Sequence, residues 1–393
     1  MKKKVLFVMH SAKTGGSTSS LLNLLRVLAE YHIRPDILLM SHTGDYMEEF
    51  RKAGNLLAEN KVLGAAVCKK EDIKKSYGQF GLAVRTLVAI ANKLKINIVN
   101  SILYQSSAKK IEEYDVVIAF QETITTDFSF YLKAKRKVAW VHSIIDKFES
   151  SYRDCKALRT VYSGFDCIIC VAKGAAEAFS RKLPDLAQKV SVIPNVLLSE
   201  SIKQKSQLES PISLMNPKME DHTYIVSVGR LAQVKQYDLA IKAANHLKKA
   251  GIKFLWFIVG EGPERNNLER SIDEFGLQEN VILTGSVLNP YPVIKNSDVL
   301  VISSSYEAQP MVGNEALILG IPVISTNYPT AYELINDQIN GLICENSLAG
   351  ITDALLRFIT DQQLNSKLRM GASQFRYDVS DIINAVLEIL DCK

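Results

Sequence analysis

The chain has 393 residues, of which 47% are hydrophobic and 23% charged, and its formal net charge is +5. This length suits two domains of about 150 to 200 residues, and the composition is typical of a globular chain, which excludes disordered and fibrous proteins. The longest apolar runs fall far short of the roughly 20 residues needed to cross a bilayer, so no membrane span is predicted.

The start of the chain and its cysteines favour a cytoplasmic protein. Lysines precede the apolar run 5–9, which is too short for a signal peptide and predicts a first β-strand instead. Cys167 and Cys170 form a C-x2-C pair within an apolar run, and no second pair completes a zinc site. We therefore expect the six cysteines to be buried, reduced thiols.

Charge is divided unevenly along the chain. Residues 1–198 contain 30 Lys and Arg against 19 Asp and Glu, whereas residues 199–393 contain 17 against 23. Two groups of cations in the first half could contact anionic lipid headgroups or a phosphate-bearing acceptor, or be ordinary solvated faces. These groups are Lys69, Lys70, Lys74 and Lys75, and Lys133, Lys135, Arg136 and Lys137. Nucleic acid is disfavoured as a partner because no recognition motif accompanies them.

The first half of the chain alternates apolar, β-branched runs with helical patterns. Runs that are apolar on both faces and separated by helices predict a parallel sheet covered on both sides, which is a doubly wound α/β domain over residues 1–198. The predicted strands are 5–9, 37–40, 116–120, 138–141, 167–171 and 190–193, and the clearest helices are 17–30 and 175–182.

The same plan restarts after residues 199–221, a polar stretch that is predicted to be the domain linker. A second doubly wound domain is predicted over residues 222–375, and a helix within 376–393 would close it or pack back on the first domain. Its strands are predicted at 224–228, 254–259, 281–284, 299–302 and 322–325, with helices at 237–250, 265–275 and 313–319. Two such domains would place a ligand in the cleft between them, at the carboxyl ends of both sheets.

A glycine loop follows the first predicted strand. Gly15 and Gly16 permit backbone amides to approach a phosphate at the start of the next helix. The loop lacks the G-x-G-x-x-G spacing of a dinucleotide site and the Lys-Ser/Thr of a P-loop. NAD binding and ATP hydrolysis are therefore both disfavoured.

Two cations follow the first strand of the second domain. Arg230 and Lys235 are five residues apart across a predicted strand-to-helix turn. Each charge-assisted contact to a phosphate is worth about 1.5 to 3 kcal/mol, so the pair could hold a dianionic diphosphate without a metal. The alternative is that both side chains merely lie on the surface.

Two glutamates flank a predicted helix start further along the chain. Pro310 suits the first turn of a helix that ends at Gly320, which puts Glu307 on the loop and Glu315 inside the helix. Such a pair can bind sugar hydroxyls at two points, while the amides of residues 309–312 face a phosphate at the positive helix end. Taken alone, two glutamates eight residues apart are also common as solvated side chains.

The chain contains four short motifs that are informative as a set. They are Gly15-Gly16, G-R-L-x3-K at 229–235, G-E-G-P at 260–263, and E-x7-E at 307–315. The set resembles the family-4 retaining glycosyltransferases of bacterial surface-polysaccharide pathways, over essentially the whole chain and most specifically in the second domain. The resemblance implies the GT-B fold, in which two Rossmann-like doubly wound domains face each other across a cleft and the first domain binds the acceptor.

The resemblance also implies the catalytic residues. Arg230 and Lys235 match the ligands of the donor diphosphate. Glu307 matches the glutamate that contacts the transferred sugar, and Glu315 matches the one that binds the nucleotide ribose. In the first domain, His142 matches the histidine that lies beside the donor sugar.

Further donor-binding residues are expected around these positions. Ser286 and Val287 follow a predicted strand and would read the nucleotide base. The chain departs from the family at Ala308, where glycine is common, and the added methyl group could narrow the sugar pocket. The G-E-G-P segment is expected to be a turn and not a ligand. The remaining predicted donor ligands are Gly15, Gly16, Gln309, Pro310, Met311 and Val312.

The chain is therefore predicted to transfer a hexosyl or related residue from a nucleotide-sugar to a hydroxyl of a lipid-linked or polysaccharide acceptor at the inner membrane face, with UDP favoured over GDP. The resemblance implies same-face attack with retention, deprotonation of the acceptor assisted by the departing phosphate, and no enzyme nucleophile, metal or cofactor. The alternatives are a sugar-nucleotide epimerase of the same fold and a catalytically silent partner subunit of another glycosyltransferase. The presence of both cations and both glutamates favours transfer.

Overall fold

The computed structural model describes residues 3–68, 70–93, 98–145, 155–212, 219 and 221–391. Lys69 and Cys392, and residues 213–218 and 220 of the expected linker, lie outside these ranges. The chain divides into two compact units, one of Met1–Val196 with Val379–Lys393 and the other of Leu197–Asp378. Each unit contains one parallel sheet.

The first unit has a seven-stranded sheet in the order β3-β2-β1-β4-β5-β6-β7. Its strands are β1 Val5–Met9, β2 Asp36–Leu39, β3 Asn55–Leu56, β4 Tyr114–Ala119, β5 Ala134–Val141, β6 Cys167–Cys170 and β7 Val190–Val192. β1 is buried at every position, which explains why its sequence is apolar throughout and does not alternate. β3 has only two residues, too few to produce a sequence pattern.

Eight helices connect these strands within the described ranges. They are α1 Gly16–Glu30, α2 Met47–Ala53, α3 Lys61–Val67, α4 Lys70–Lys93, α5 Ile98–Ala108, α6 Ile124–Phe130, α7 Cys155–Ser163 and α8 Lys173–Lys182. α4 is interrupted at Gly78, whose φ of 58° and ψ of −148° are not helical. The segment before this break and the segment after it are therefore separate helical pieces.

The second unit has a six-stranded sheet in the order β10-β9-β8-β11-β12-β13. Its strands are β8 Thr223–Val228, β9 Phe254–Val259, β10 Val281–Gly285, β11 Val299–Ile302, β12 Val323–Thr326 and β13 Gly341–Cys344. Its helices are α9 Ser199–Ser206, α10 Tyr237–Lys249, α11 Arg265–Glu274, α12 Tyr291–Lys295, α13 Met311–Ile318, α14 Ala331–Leu334, α15 Leu348–Thr360 and α16 Gln362–Ser373.

The strand order reverses once in each sheet. The reversal lies between β1 and β4 in the first unit and between β8 and β11 in the second. In open parallel sheets, ligands bind outside the carboxyl ends of the two strands at such a reversal, because the loops that follow them diverge and leave a crevice. The residues that follow these four strands are therefore the candidates for a site.

The expected linker is wrong for its first part. Residues 199–206 form α9, which belongs to the second unit. Ile202 is 3% exposed and shares a hydrophobic core cluster with Leu197 and Ile212. A single apolar side chain in eight residues produces no helical period, which is why this helix reads as a polar linker in the sequence.

The final helix, α17, covers Ser380–Asp391 and belongs to the first unit. Its Ile383 and Val386 are buried, and the Arg136 guanidinium donates a hydrogen bond to the carbonyl oxygen of Ile389 at 3.1 Å. Arg136, which the sequence places in a group of surface cations, therefore anchors this helix.

The cysteines of the described ranges are free thiols. Cys68, Cys167 and Cys170 are buried as expected, and burial raises the pKa of the Cys170 thiol to about 12. The expectation of burial is wrong for Cys155, which is exposed as the first residue of α7. Cys344 is partly buried.

Glycines let the loop after β8 pack against the loop after β9. Gly260 has a φ of +151°, and a Cβ atom there would lie 1.9 Å from the carbonyl oxygen of Gly229. The backbone amide of Leu231 donates to the carbonyl oxygen of Glu261 at 3.0 Å. The G-E-G-P segment is thus a turn that supports the loop carrying Arg230.

We expect Gly260→Ala to destabilise the second unit by about 2 kcal/mol or more, because the added methyl group meets a backbone oxygen that cannot move aside. Urea unfolding followed by fluorescence measures the change. Gly15→Ala is the control, since its φ of 168° is ordinary extended backbone and no atom of the described residues lies within 4 Å of an added Cβ. Equal effects of the two substitutions would contradict the steric explanation.

Candidate active site

An ion pair joins the loops that follow β8 and β11. Lys235 Nζ donates to Glu307 Oε1 at 2.5 Å, and the two side chains are only 23% and 16% exposed. Ser304 Oγ donates to the same carboxylate oxygen at 2.7 Å. The predicted phosphate cation and the predicted sugar glutamate therefore lie together at the strand-order reversal of the second sheet.

Hydrogen bonds from hydroxyl and backbone groups fix the positions of the two loops. Ser303 Oγ donates to the carbonyl oxygen of Lys235 at 2.6 Å, and the Ser305 amide donates to that of Val234 at 2.8 Å. Thr330 Oγ1 donates to the carbonyl oxygen of Glu307 at 2.8 Å. Because the backbone is fixed on both sides, the ion pair is positioned before any ligand binds.

Arg230 and Lys235 belong to the same turn. A Cβ atom on Gly229 would lie 3.5 Å from Lys235 Nζ, so the ammonium group is directly beside the backbone that leads into Arg230. The Arg230 side chain is exposed and available to solvent-borne anions. The turn thus presents two positive charges at the carboxyl end of β8.

Glu315 is held in a different environment. It lies within α13, is 8% exposed, and its Oε1 accepts a hydrogen bond from the Tyr291 hydroxyl at 3.2 Å. Burial raises the pKa of its carboxyl group to about 7, against the opposing effects of the Tyr291 hydrogen bond and of Lys205. Glu315 is therefore partly protonated at neutral pH, unlike an ordinary glutamate.

The residues between the two glutamates form the start of α13. Pro310 is the N-cap residue of the helix, which begins at Met311, two residues earlier than the predicted start at 313. Gln309 and Val312 are half-buried, and Ala308 is 6% exposed. The positive end of this helix lies on the same segment as Glu307, so both could act on one ligand.

The predicted base-reading residues follow β10. Ser286 is exposed, and Val287 is half-buried and packs on the hydrophobic core cluster that contains Ile302 and Met311. After β10, the second unit therefore presents an apolar side chain at Val287 and a polar side chain at Ser286.

In the first unit, His142 follows β5 and is anchored by Glu122. The His142 backbone amide donates to Glu122 Oε2 at 3.0 Å, and Ser143 Oγ donates to Glu122 Oε1. The imidazole ring packs on the Phe120 ring with centroids 4.8 Å apart. Burial lowers the pKa of His142 to about 4, although Glu122 opposes the shift, so the ring is neutral at pH 7.

A cavity of about 350 Å³ lies beside this histidine, within the first unit. Its lining comes from the segments that follow β1, β4 and β5. His142 Nε2 and Thr125 Oγ1 are buried there without a hydrogen-bond partner among the described residues. The lining residues are His10, Ser17, Gln121, Glu122, Thr123, Ile124, Thr125 and His142.

The glycine loop has a different geometry from the one that the sequence suggests. Gly15 is extended and Gly16 is the first residue of α1, so Gly15 does not use a glycine-only conformation. Gln121 ties this loop to β4: its Oε1 accepts from the His10 amide at 3.1 Å, and its Nε2 donates to Ser17 Oγ at 2.7 Å.

Several site residues carry no motif and are visible only in the fold. Ser304 and Tyr291 hold the two predicted glutamates, and Glu122 holds the loop of the predicted histidine. The one sequence signal for Glu122 is that Gln-Glu directly follows the apolar strand 116–120, at the position where a parallel strand ends.

Comparison with curated proteins finds similarity to bacterial glycosyltransferases. The lipopolysaccharide core biosynthesis glycosyltransferase LpsD of Rhizobium meliloti (strain 1021) is 26% identical over 238 residues, which are 58% of this chain and 65% of that protein. An N-acetylgalactosamine-N,N'-diacetylbacillosaminyl-diphospho-undecaprenol 4-alpha-N-acetylgalactosaminyltransferase of Campylobacter jejuni is 29% identical over 205 residues, 52% of this chain and 51% of that protein. The chain thus spans between about half and just under two thirds of these relatives.

A solved structure confirms the fold over the whole length. Alr3699/HepE of Anabaena, crystallised with UDP and glucose, superposes with a TM-score of 0.74 at 19% identity and covers 100% of both chains. Together with the two parallel sheets, this confirms the GT-B prediction of two Rossmann-like doubly wound units. Residues 214–375 match the family described as glycosyl transferases group 1.

Proposed function

We propose that the protein transfers a sugar from a nucleotide-sugar, with UDP favoured over GDP, to a hydroxyl of a lipid-linked or polysaccharide acceptor in cell-surface polysaccharide biosynthesis. The observation that carries the proposal is the Lys235–Glu307 pair at the carboxyl ends of β8 and β11, inside the matched residues 214–375. UDP in the HepE structure and the lipid-diphosphate substrate in the name of the Campylobacter relative support the two substrate classes.

The leaving diphosphate would be bound by Arg230, Lys235 and the start of α13. Charge develops on the phosphate oxygens as the sugar departs, so fixed cations and helix amides stabilise the transition state more than the ground state. Two charge-assisted contacts of about 1.5 to 3 kcal/mol each would replace the metal ion that other transferases use. Metal independence is part of the proposal.

Donor binding would exchange the partners of the ion pair. Lys235 would turn from Glu307 to the diphosphate, and the carboxylate would then accept hydrogen bonds from hydroxyls of the transferred sugar. Ser304, whose hydroxyl already donates to Glu307 Oε1, would keep the carboxylate in place during the exchange. Lys235, Glu307 and Ser304 would thus each have a bonding partner both before and after the donor binds.

Glu315 in its protonated form and His142 as neutral imidazole would act as uncharged hydrogen-bonding groups. Glu315, with a pKa of about 7, would bind the ribose hydroxyls of the nucleotide. His142, with a pKa of about 4, would contact a sugar hydroxyl as neutral imidazole, without adding positive charge near a sugar carbon that becomes electron-poor. Retention would follow from same-face attack, with the departing phosphate assisting deprotonation of the acceptor.

Two alternatives predict different products. A sugar-nucleotide epimerase would act on the donor without an acceptor, and a silent partner subunit would neither bind nor consume it. The presence of Arg230, Lys235, Glu307 and Glu315 together favours transfer over both.

We expect Arg230→Ala and Glu307→Gln each to lower turnover at least about 100-fold, because each removes a group that acts on the transition state. Release of UDP from UDP-sugars, with acceptor and with EDTA, measures turnover. The matched controls are Arg270→Ala and Glu274→Gln, which change exposed side chains of the same unit. Near-normal rates in either site variant, with normal urea unfolding, would refute the assigned roles.

The raised pKa of Glu315 predicts how stability depends on pH. Below pH 4.5, the carboxyl is protonated in both the folded and the unfolded chain and contributes nothing. Between pH 4.5 and about 7 the unfolded chain loses the proton while the folded chain keeps it, so stability falls as pH rises, and above pH 7 the cost is constant.

Glu315→Gln should therefore stabilise the protein at pH 8 by roughly 1 to 3 kcal/mol relative to the wild type and have little effect at pH 4.5. Urea unfolding at the two pH values tests this. An equal difference at both would mean that Glu315 is not the titrating group.

A further inference from the structure

Helix α4 presents an apolar stripe to solvent. Phe80, Leu87 and Ile90 are 52%, 67% and 50% exposed, and Ala83 between them is also exposed. Positions 80, 83, 87 and 90 fall on one face of a helix, over three turns. We call these four residues the α4 stripe.

The stripe is separate from the face that packs on the unit. Gly81 and Val88 are buried on the opposite side of the helix, where Arg85 Nη1 also donates to the carbonyl oxygen of Ala66 at 2.7 Å. The helix is therefore already fixed to the first unit by its inner face. Large apolar side chains grouped on an outer face mark an interaction surface.

The surrounding segment is strongly basic. Residues 61–110, which include α3, α4 and α5, contain ten Lys and Arg against two acidic residues, an excess larger than the net charge of the whole chain. Lys74 and Lys75 are exposed just before the break at Gly78. One of the two acids, Asp72, is paired with Lys13.

Three of the four cations in the other predicted group, Lys135, Arg136 and Lys137, make contacts within the fold. Lys135 forms an ion pair with Asp115 at 2.7 Å, and Lys137 Nζ donates to the carbonyl oxygen of Phe130 at 2.7 Å. Arg136 anchors α17. The basic segment beside the α4 stripe is therefore the better candidate for an anionic partner.

We propose that the α4 stripe docks on an anionic phospholipid membrane. Its apolar side chains would enter the boundary between headgroups and acyl chains, while Lys74 and Lys75 contact lipid phosphates. A second copy of the chain fits less well, because two segments with this excess of cations would repel each other. Among the described residues, no helix has the length and apolarity needed to cross a bilayer, and the proposed contact lies in the plane of the surface.

This docking does not depend on the proposed donor chemistry. It would bring the first unit to the surface from which a lipid-linked acceptor is drawn. It is also testable with the purified chain and lipid vesicles alone.

The experiment is co-sedimentation of the full chain with vesicles of phosphatidylglycerol and phosphatidylcholine, compared with phosphatidylcholine alone. We expect binding to the anionic vesicles that weakens as salt is added. Phe80→Ser, Leu87→Ser and Ile90→Ser combined should lower the partition coefficient at least about tenfold, through lost apolar burial. Lys74→Ser with Lys75→Ser should lower it roughly 25-fold at low salt.

The matched control combines Leu288→Ser, Tyr332→Ser and Met370→Ser, which remove similarly exposed apolar side chains from the second unit. An equal loss in this control, or equal binding to both kinds of vesicle, would overturn the proposal. A dimer in light scattering that the α4 variant converts to monomer would instead assign the stripe to a contact between copies. UDP binding is measured on the same samples, because it tests the transferase proposal independently of the membrane-docking proposal.

Discussion

The ion pair between Lys235 and Glu307 is the interaction around which the second unit's site is arranged. It places opposite charges in partly buried surroundings, where neither could remain alone without a desolvation cost. The serines that follow β11 hold both partners: Ser303 donates to the carbonyl oxygen of Lys235, and Ser304 donates to the carboxylate of Glu307. The pair itself is neutral while the site is empty, and under our proposal a diphosphate would bind by taking Lys235 from its carboxylate.

Two other candidate residues, Glu315 and His142, lie in surroundings where burial favours the uncharged form of the side chain. Glu315 and His142 both have a pKa shifted towards the neutral form, upward for the acid and downward for the base. Neutral groups can form hydrogen bonds with sugar or ribose hydroxyls without the cost of a second buried charge. The charged side chains thus lie where phosphate would bind. The side chains that burial shifts towards a neutral form lie where hydroxyls would bind.

The sequence predicts most of the fold because buried parallel strands are continuous apolar runs. Two of the elements that it misses have little apolar signal: β3 has two residues, and α9 buries Ile202 from an otherwise polar stretch. The motif residues were found by their type and spacing. The residues that hold the motif residues in place have no such pattern, because contacts such as Glu122 with His142 form only when the ends of neighbouring strands meet.

The most direct test is calorimetric titration of UDP, with a chelator present, into the wild type, Lys235→Met and Glu307→Gln. If the ion pair competes with the diphosphate, Glu307→Gln frees Lys235 and binds UDP more tightly than the wild type while losing turnover, and Lys235→Met binds at least about tenfold more weakly. Equal weakening in both variants, or no binding of UDP or GDP to the wild type, would contradict the account.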